Sequence, residues 1–187
     1  MATISTADFK NGMGLKIDGK YYTIVEFQHV KPGKGGAFVR YKIKDLRDGR
    51  TIDQTCNAGS KFENVQLITK EMQYLYTDGD AFYFMDTETY DQIPVSDSYI
   101  GEKVKWLKEN DICQLLYADE ELLGVNPPMF IEVEVTETDP GFKGDTATNA
   151  TKPAVLETGA VIKVPQFIAE GEMVIVDTRT GEYLSRA

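Results

Sequence analysis

Short runs of Val, Ile, Tyr and Phe, each cut off by a glycine-containing turn signal, recur along this chain and restrict it to an all-β fold. "KIDGKYYTIVEF", "MQYLYTDGDAFYFMD", "CQLLYADEELLGV", "MFIEVEVTETDPG" and "MVIVDTRTGEYLS" are the clearest of them. Asp18-Gly19, Asp78-Gly79 and Thr180-Gly181 fall between apolar runs, where glycine supplies the positive φ of a tight hairpin. One short helix is expected within "SDSYIGEKVKWLKEN", residues 96–110, with Ile100, Val104 and Leu107 on one face. Strands do not alternate with long helices, so a doubly wound parallel sheet is excluded.

Charge divides the chain. Residues 1–64 carry 11 Lys and Arg against 7 Asp and Glu, net +4, whereas residues 65–187 carry 9 against 23, net −14. A basic front joined to an acidic body suggests a partner that meets the two differently. One boundary is therefore placed near residue 64. A second is placed near 127, where Pro127-Pro128 would interrupt a central strand. The pieces 1–64, 65–127 and 128–187 are each so small that a nearly closed β-barrel, which hides its edges, is the economical fold. A hydrophobic content of 42% is enough to give them packed cores. Residues 138–153 lack apolar periodicity and are read as a long loop, of a length that is usually functional or mobile.

Other classes lose support on residue type. No apolar run approaches the roughly 20 residues of a membrane-spanning helix, and the start "MATISTADFK" has no export signal. Cys56 and Cys113 are far apart and outside any CxxC, so reduced cytosolic thiols are expected, with no disulfide and no metal. His29 is the only histidine and is read as a strand residue beside a hairpin, not as part of a triad. Asp119, Glu120 and Glu121 lack EF-hand spacing and are read as a solvated loop, and Trp106 as packing.

"HVKPGKGGAFVR", residues 29–40, is the informative stretch. Six residues, Lys31, Pro32, Gly33, Lys34, Gly35 and Gly36, join two strand-like runs and form a hairpin tip. Pro32-Gly33 suits the centre of a type II turn, placing Lys34 at the apex. Gly35 and Gly36 add no bulk beside it, so another surface can come close. In the second arm Val39, Tyr41 and Ile43 share one face, while Arg40, Lys42 and Lys44 form a basic stripe on the other. A P-loop is excluded because GxxxxGK[ST] is absent and strand follows the glycines. An exposed lysine lacks the burial that catalytic lysines use, leaving a positioned cation or hydrogen-bond donor.

The tip "KPGKGGAF", the segment "TETDPGFKGDTATNATKPAVLETGAVIKVPQFIAEG" and the tail "VDTRTGEYLSRA" resemble the bacterial elongation factor P family along the whole chain. The resemblance implies an SH3-like (KOW-like) barrel followed by two OB-fold barrels in an L-shaped, tRNA-like arrangement. It implies a cytoplasmic, non-enzymatic factor without a cofactor that binds both ribosomal subunits between the P and E sites. There it would stimulate peptide-bond formation at consecutive prolines. Lys34 aligns with the family's apical lysine, which reaches toward the CCA end of peptidyl-tRNA and in many members is lengthened by a modifying enzyme. Gly144, Asp145 and Thr146 match the loop that approaches the E-site codon, and are otherwise ordinary turn chemistry. Tyr183 and Arg186 match positions near the small subunit and tRNA, and are otherwise a strand-end aromatic and a solvated arginine. A factor entering a ribosomal cleft is expected to be a monomer. The alternatives are a general SH3/OB-type RNA-binding protein, which the acidic body of net −14 disfavours, and a small hydrolase or transferase using the acidic residues, for which no motif exists.

Overall fold

The computed structural model describes residues 2–141 and 150–187, and within them the chain is almost entirely β. The first sheet is built from β1 (Ala2–Ser5), β2 (Gly14–Ile17), β3 (Lys20–Val30), β4 (Phe38–Asp45), β5 (Thr51–Asn57) and β6 (Lys61–Val65), in the order β1-β6-β2-β3-β4-β5. The second contains β7 (Leu67–Thr77), β8 (Phe82–Asp86), β9 (Gln92–Val95), β10 (Ile112–Ala118) and β11 (Glu121–Asn126), ordered β11-β10-β7-β8-β9. The third contains β12 (Phe130–Thr138), β13 (Thr151–Leu156), β14 (Val161–Pro165), β15 (Met173–Asp177) and β16 (Glu182–Arg186), ordered β14-β13-β12-β15-β16. Three β-barrel-like sheets of short strands are what the turn punctuation requires. Asp18 and Gly19, at φ 50° and 77°, form the two-residue link from β2 to β3, the geometry that matches strand twist.

By packing, the chain forms two compact units. One combines residues up to Lys70 with Leu115–Val125, and the other combines Glu71–Gln114 with Asn126–Ala187. In the first, alternate residues of β4 point inward: Val39, Tyr41 and Ile43 are buried with Phe9, Leu15 and Ile24. A second cluster joins Tyr21 and Val65 to Ala118 and Leu123. The acidic turn after β10 differs from the solvated loop expected. Glu121 accepts a hydrogen bond from the Tyr21 hydroxyl at 2.6 Å and pairs with Arg47 at 2.9 Å. Asp119 accepts the Gln66 N–H at 3.0 Å. The bond to the Glu121 carboxylate, with burial, holds the Tyr21 phenol above its ordinary pKa. Tyr21→Phe deletes one charge-assisted bond while Arg47 still serves Glu121, so it is expected to cost about 1–2 kcal/mol in denaturant unfolding. An unchanged midpoint would show the bond to be idle.

In the second unit the expected helix is two 3-10 turns, Asp97–Tyr99 and Gly101–Trp106. At three residues per turn, Ile100 and Trp106 share a face and are buried, and Val104 rotates outward to 43% exposure. Leu107 is buried from the extended residue that follows. Trp106 packs, as read from sequence, into the third sheet's core with Ile131, Val133, Leu156, Val174 and Val176. Cys113 is buried, with its thiol pushed up to about 12 by desolvation, and Cys56 is half-buried; both are free.

Candidate functional site

β3 and β4 pair from Tyr22 opposite Asp45 to Val30 opposite Phe38, with a bulge between Ile24 and Glu26. From Thr23 to Val30 this ladder carries the tip roughly 23 Å along the hairpin, at ~3.3 Å per residue. Pairing with β5 backs the far end, where Phe38 lies opposite Asn57 and the Ala58 N–H donates to the Ala37 carbonyl at 3.0 Å. The connection is seven residues, Lys31–Ala37, one more than the spacing suggests. Its positive φ falls on Gly35, at 109°, and Gly33 lies outside the left-handed region. The expected type II turn at Pro32-Gly33 is therefore absent, since that turn needs positive φ at its glycine. A wider loop spanning the fixed Val30–Phe38 register puts the reversal immediately after Lys34.

Lys31, Pro32, Gly33, Lys34, Gly35 and Gly36 are all exposed. A Cβ added at Gly33 or Gly36 would meet nothing within 4 Å, so the flanks of Lys34 are open to an approaching molecule. Lys34 takes part in no hydrogen bond or ion pair among the described residues. The second arm is less uniformly basic than its sequence. Lys42 sits between Glu26 and Asp53 across the ladder, and its ammonium pairs with Glu26 at 2.8 Å. That hydrogen bond, aided by the charges of Glu26 and Asp53, raises the Lys42 pKa. Arg40 and Lys44 are exposed and face Gln28 and Thr23 on β3. The Arg40 guanidinium lies 5.5 Å over the Phe38 ring, a cation–π contact that the i, i+2 spacing in β4 already implied. His29 is an exposed β3 residue edge-on to Phe27 at 5.7 Å, beside the tip as expected.

The remaining predicted residues belong to other parts of the chain. Gly144, Asp145 and Thr146 lie outside the described residues. Tyr183 and Arg186 belong to the other compact unit. Tyr183 packs against the third sheet's core. Arg186 is not simply solvated: it pairs with Glu172 at 3.2 Å and stacks 4.7 Å over Phe167, an exposed ring that sequence reasoning overlooked. Among the described residues no group of His, Cys, Asp and Glu could hold a metal. No helix there is long and apolar enough to cross a membrane. What the tip offers chemically is a mobile-stemmed cation and N–H donors on an open backbone.

Three family models match successive parts of the chain. They describe an elongation factor P KOW-like domain over residues 5–62, an elongation factor P OB domain over 67–125 and an elongation factor P C-terminal domain over 131–186. The chain is 54% identical over 183 residues to elongation factor P of Acetivibrio thermocellus, covering 98% of this chain and 99% of that one. It is 52% identical over 183 residues to elongation factor P of Ruminiclostridium cellulolyticum, covering 98% of each. A solved eukaryotic translation initiation factor 5A from Methanococcus jannaschii shares the fold, with a TM-score of 0.53 and 24% identity over 67% of this chain and 92% of that one.

Proposed function

The chain belongs to the elongation factor P family of translation factors, and we propose that it works between the ribosomal P and E sites, where Lys34 steadies peptidyl-tRNA during peptide-bond formation. The observation that carries this reading is an exposed ammonium, without a hydrogen bond or ion pair among the described residues, at the apex of a two-stranded arm and flanked by open glycine positions. Proline is a poor, rigid nucleophile, so consecutive prolines stall the ribosome's own chemistry. A cation that holds the P-site ester in a near-attack geometry lowers that barrier by orientation and needs no acid, base or nucleophile from the factor. Phosphate-rich RNA beside the tip favours Lys31, Lys34 and Arg40 over neutral side chains.

The same reading gives the other matched positions their work. Gly144, Asp145 and Thr146 approach the E-site codon, and Tyr183 and Arg186 meet the small subunit or tRNA. A monomer of three barrels, divided at residues 64 and 127, contacts both subunits, and a lysine-modifying enzyme extends the reach of Lys34. The test is translation of a Pro-Pro-Pro reporter in a reconstituted system with wild type and Lys34→Ala. Lys34→Ala is expected to lose roughly tenfold or more of the stimulation, the scale of one charge-assisted contact, with an unchanged unfolding midpoint. Equal relief of stalling by the two proteins overturns the reading.

A further inference from the structure

The outward face of β7, β8 and β9 carries a second feature, independent of the Lys34 tip. Register aligns Tyr76, Tyr83 and Pro94 side by side across the three strands. A bulge between Tyr74 and Tyr76 makes this arrangement: Tyr74 points into the core at 5% exposure, and Tyr76 is turned outward at 45%. The Tyr76 and Tyr83 rings stack at 4.7 Å with 18° between their planes. Tyr83 is fixed in turn, its hydroxyl donating to Asp78 at 2.8 Å, while Asp78 accepts the N–H groups of Asp80 and Ala81. The pair is therefore an immobilised aromatic platform whose outer ring remains open.

The segment that carries it is acidic. Residues 71–102 contain eight Asp and Glu and no Lys, Arg or His. Asp80, exposed at the hairpin tip four residues from Tyr76, makes no side-chain hydrogen bond or ion pair among the described residues. A nucleic-acid base could stack on tyrosine, but its phosphates would be repelled here, which is the reverse of a single-strand-binding groove. A plain apolar partner would leave the carboxylates of the rim unanswered. A guanidinium answers both, because its plane stacks on a ring while its N–H groups reach a carboxylate.

We infer that the outer face of β7–β9 is a docking surface for an arginine-bearing segment of a basic protein, with one guanidinium stacked on Tyr76 and directed at Asp80. The test titrates the full-length protein with a short synthetic peptide alternating arginine and glycine, near physiological salt. Affinity is measured, and the Tyr76 and Tyr83 ring resonances are followed by NMR. Tyr76→Ala and Asp80→Asn are each expected to weaken binding by roughly tenfold, with the fold intact by circular dichroism. Asp91→Asn, an equal charge change in the turn beyond the other end of β8, should leave it nearly unchanged, and a lysine-for-arginine peptide should bind more weakly. Equal weakening by Asp91→Asn, or equal binding of the lysine peptide, would reduce the effect to general charge and overturn the assignment. A single-stranded RNA oligonucleotide that shifts the same rings and displaces the peptide would overturn it as well.

Discussion

Replacing Trp106 by alanine is expected to destabilise the unit that holds it by about 3–5 kcal/mol, the usual cost of emptying a buried aromatic site. The indole is 6% exposed and is the last residue of its 3-10 turn, with its side chain inserted among Ile131, Val133, Val135, Leu156 and Val176. Gly181, at φ 73°, lies against the ring, and a Cβ there would sit 3.4 Å from the indole Cζ2, in ordinary contact. Polar contacts frame the same segment, since Lys108 donates to the Glu132 carbonyl at 2.8 Å and pairs with Glu157 at 3.0 Å. These partly exposed contacts contribute little beside the indole. Because Trp106 is the only tryptophan, its fluorescence reports this unit selectively. The wild type should emit as a buried indole and shift red on unfolding, and the alanine variant, which has no tryptophan and is followed by circular dichroism, should melt about 10 °C or more below it. Trp106→Phe should recover much of the loss by refilling part of the site. An unchanged melting temperature in Trp106→Ala would mean that the ring is a surface platform.

Much of the tip's geometry could be read because it is local. The alternation of Val39, Tyr41 and Ile43 against Arg40, Lys42 and Lys44 has a period of two, and one buried face then decides which set is core. Asp18-Gly19 was equally legible, since both residues accept positive φ. The features that eluded sequence reasoning depend on distant or collective constraints. Pro32-Gly33 has the local preferences of a type II turn, yet closing seven residues onto the Val30–Phe38 pair shifts the positive φ to Gly35. The Lys42–Glu26 pair depends on register after a bulge, which periodicity does not report. Glu121 finds Tyr21 a hundred residues away. Gly101–Trp106 is too short to repay α-helix nucleation, so tertiary burial of Ile100 and Trp106 selects the tighter 3-10 winding. Tyr76 escapes a period-two reading for the same reason as Glu26, a bulge that reverses which face follows.

Gly14→Ala should cost about 3 kcal/mol, at the upper end of overpacking, although it adds a single methyl to a glycine of ordinary φ. Gly14 is buried in β2, between Val65 of β6 and Thr23 of β3, and its carbonyl accepts the Asn64 side-chain amide at 2.9 Å. A Cβ would lie 2.6 Å from the Val65 carbonyl oxygen, 2.8 Å from Leu67 Cγ and 2.9 Å from Val65 Cγ2. The nearest of these is backbone, which cannot swing aside as a flexible side-chain end can, so β2 and β6 must part and the barrel carrying the tip opens along that seam. Gly36→Ala supplies the contrast, with ordinary φ and open space, and should stay within about 0.5 kcal/mol of wild type. Denaturant unfolding of the three proteins measures the difference directly, and a wild-type midpoint for Gly14→Ala would contradict the packing of β2 on β6. The pair also separates stability from function. Gly14→Ala should lose stalling relief only in proportion to its unfolded fraction and regain it on mild cooling, whereas Lys34→Ala should fail at every temperature while fully folded. If cooling restores Lys34→Ala as well, the cation at the tip is not what holds the peptidyl-tRNA.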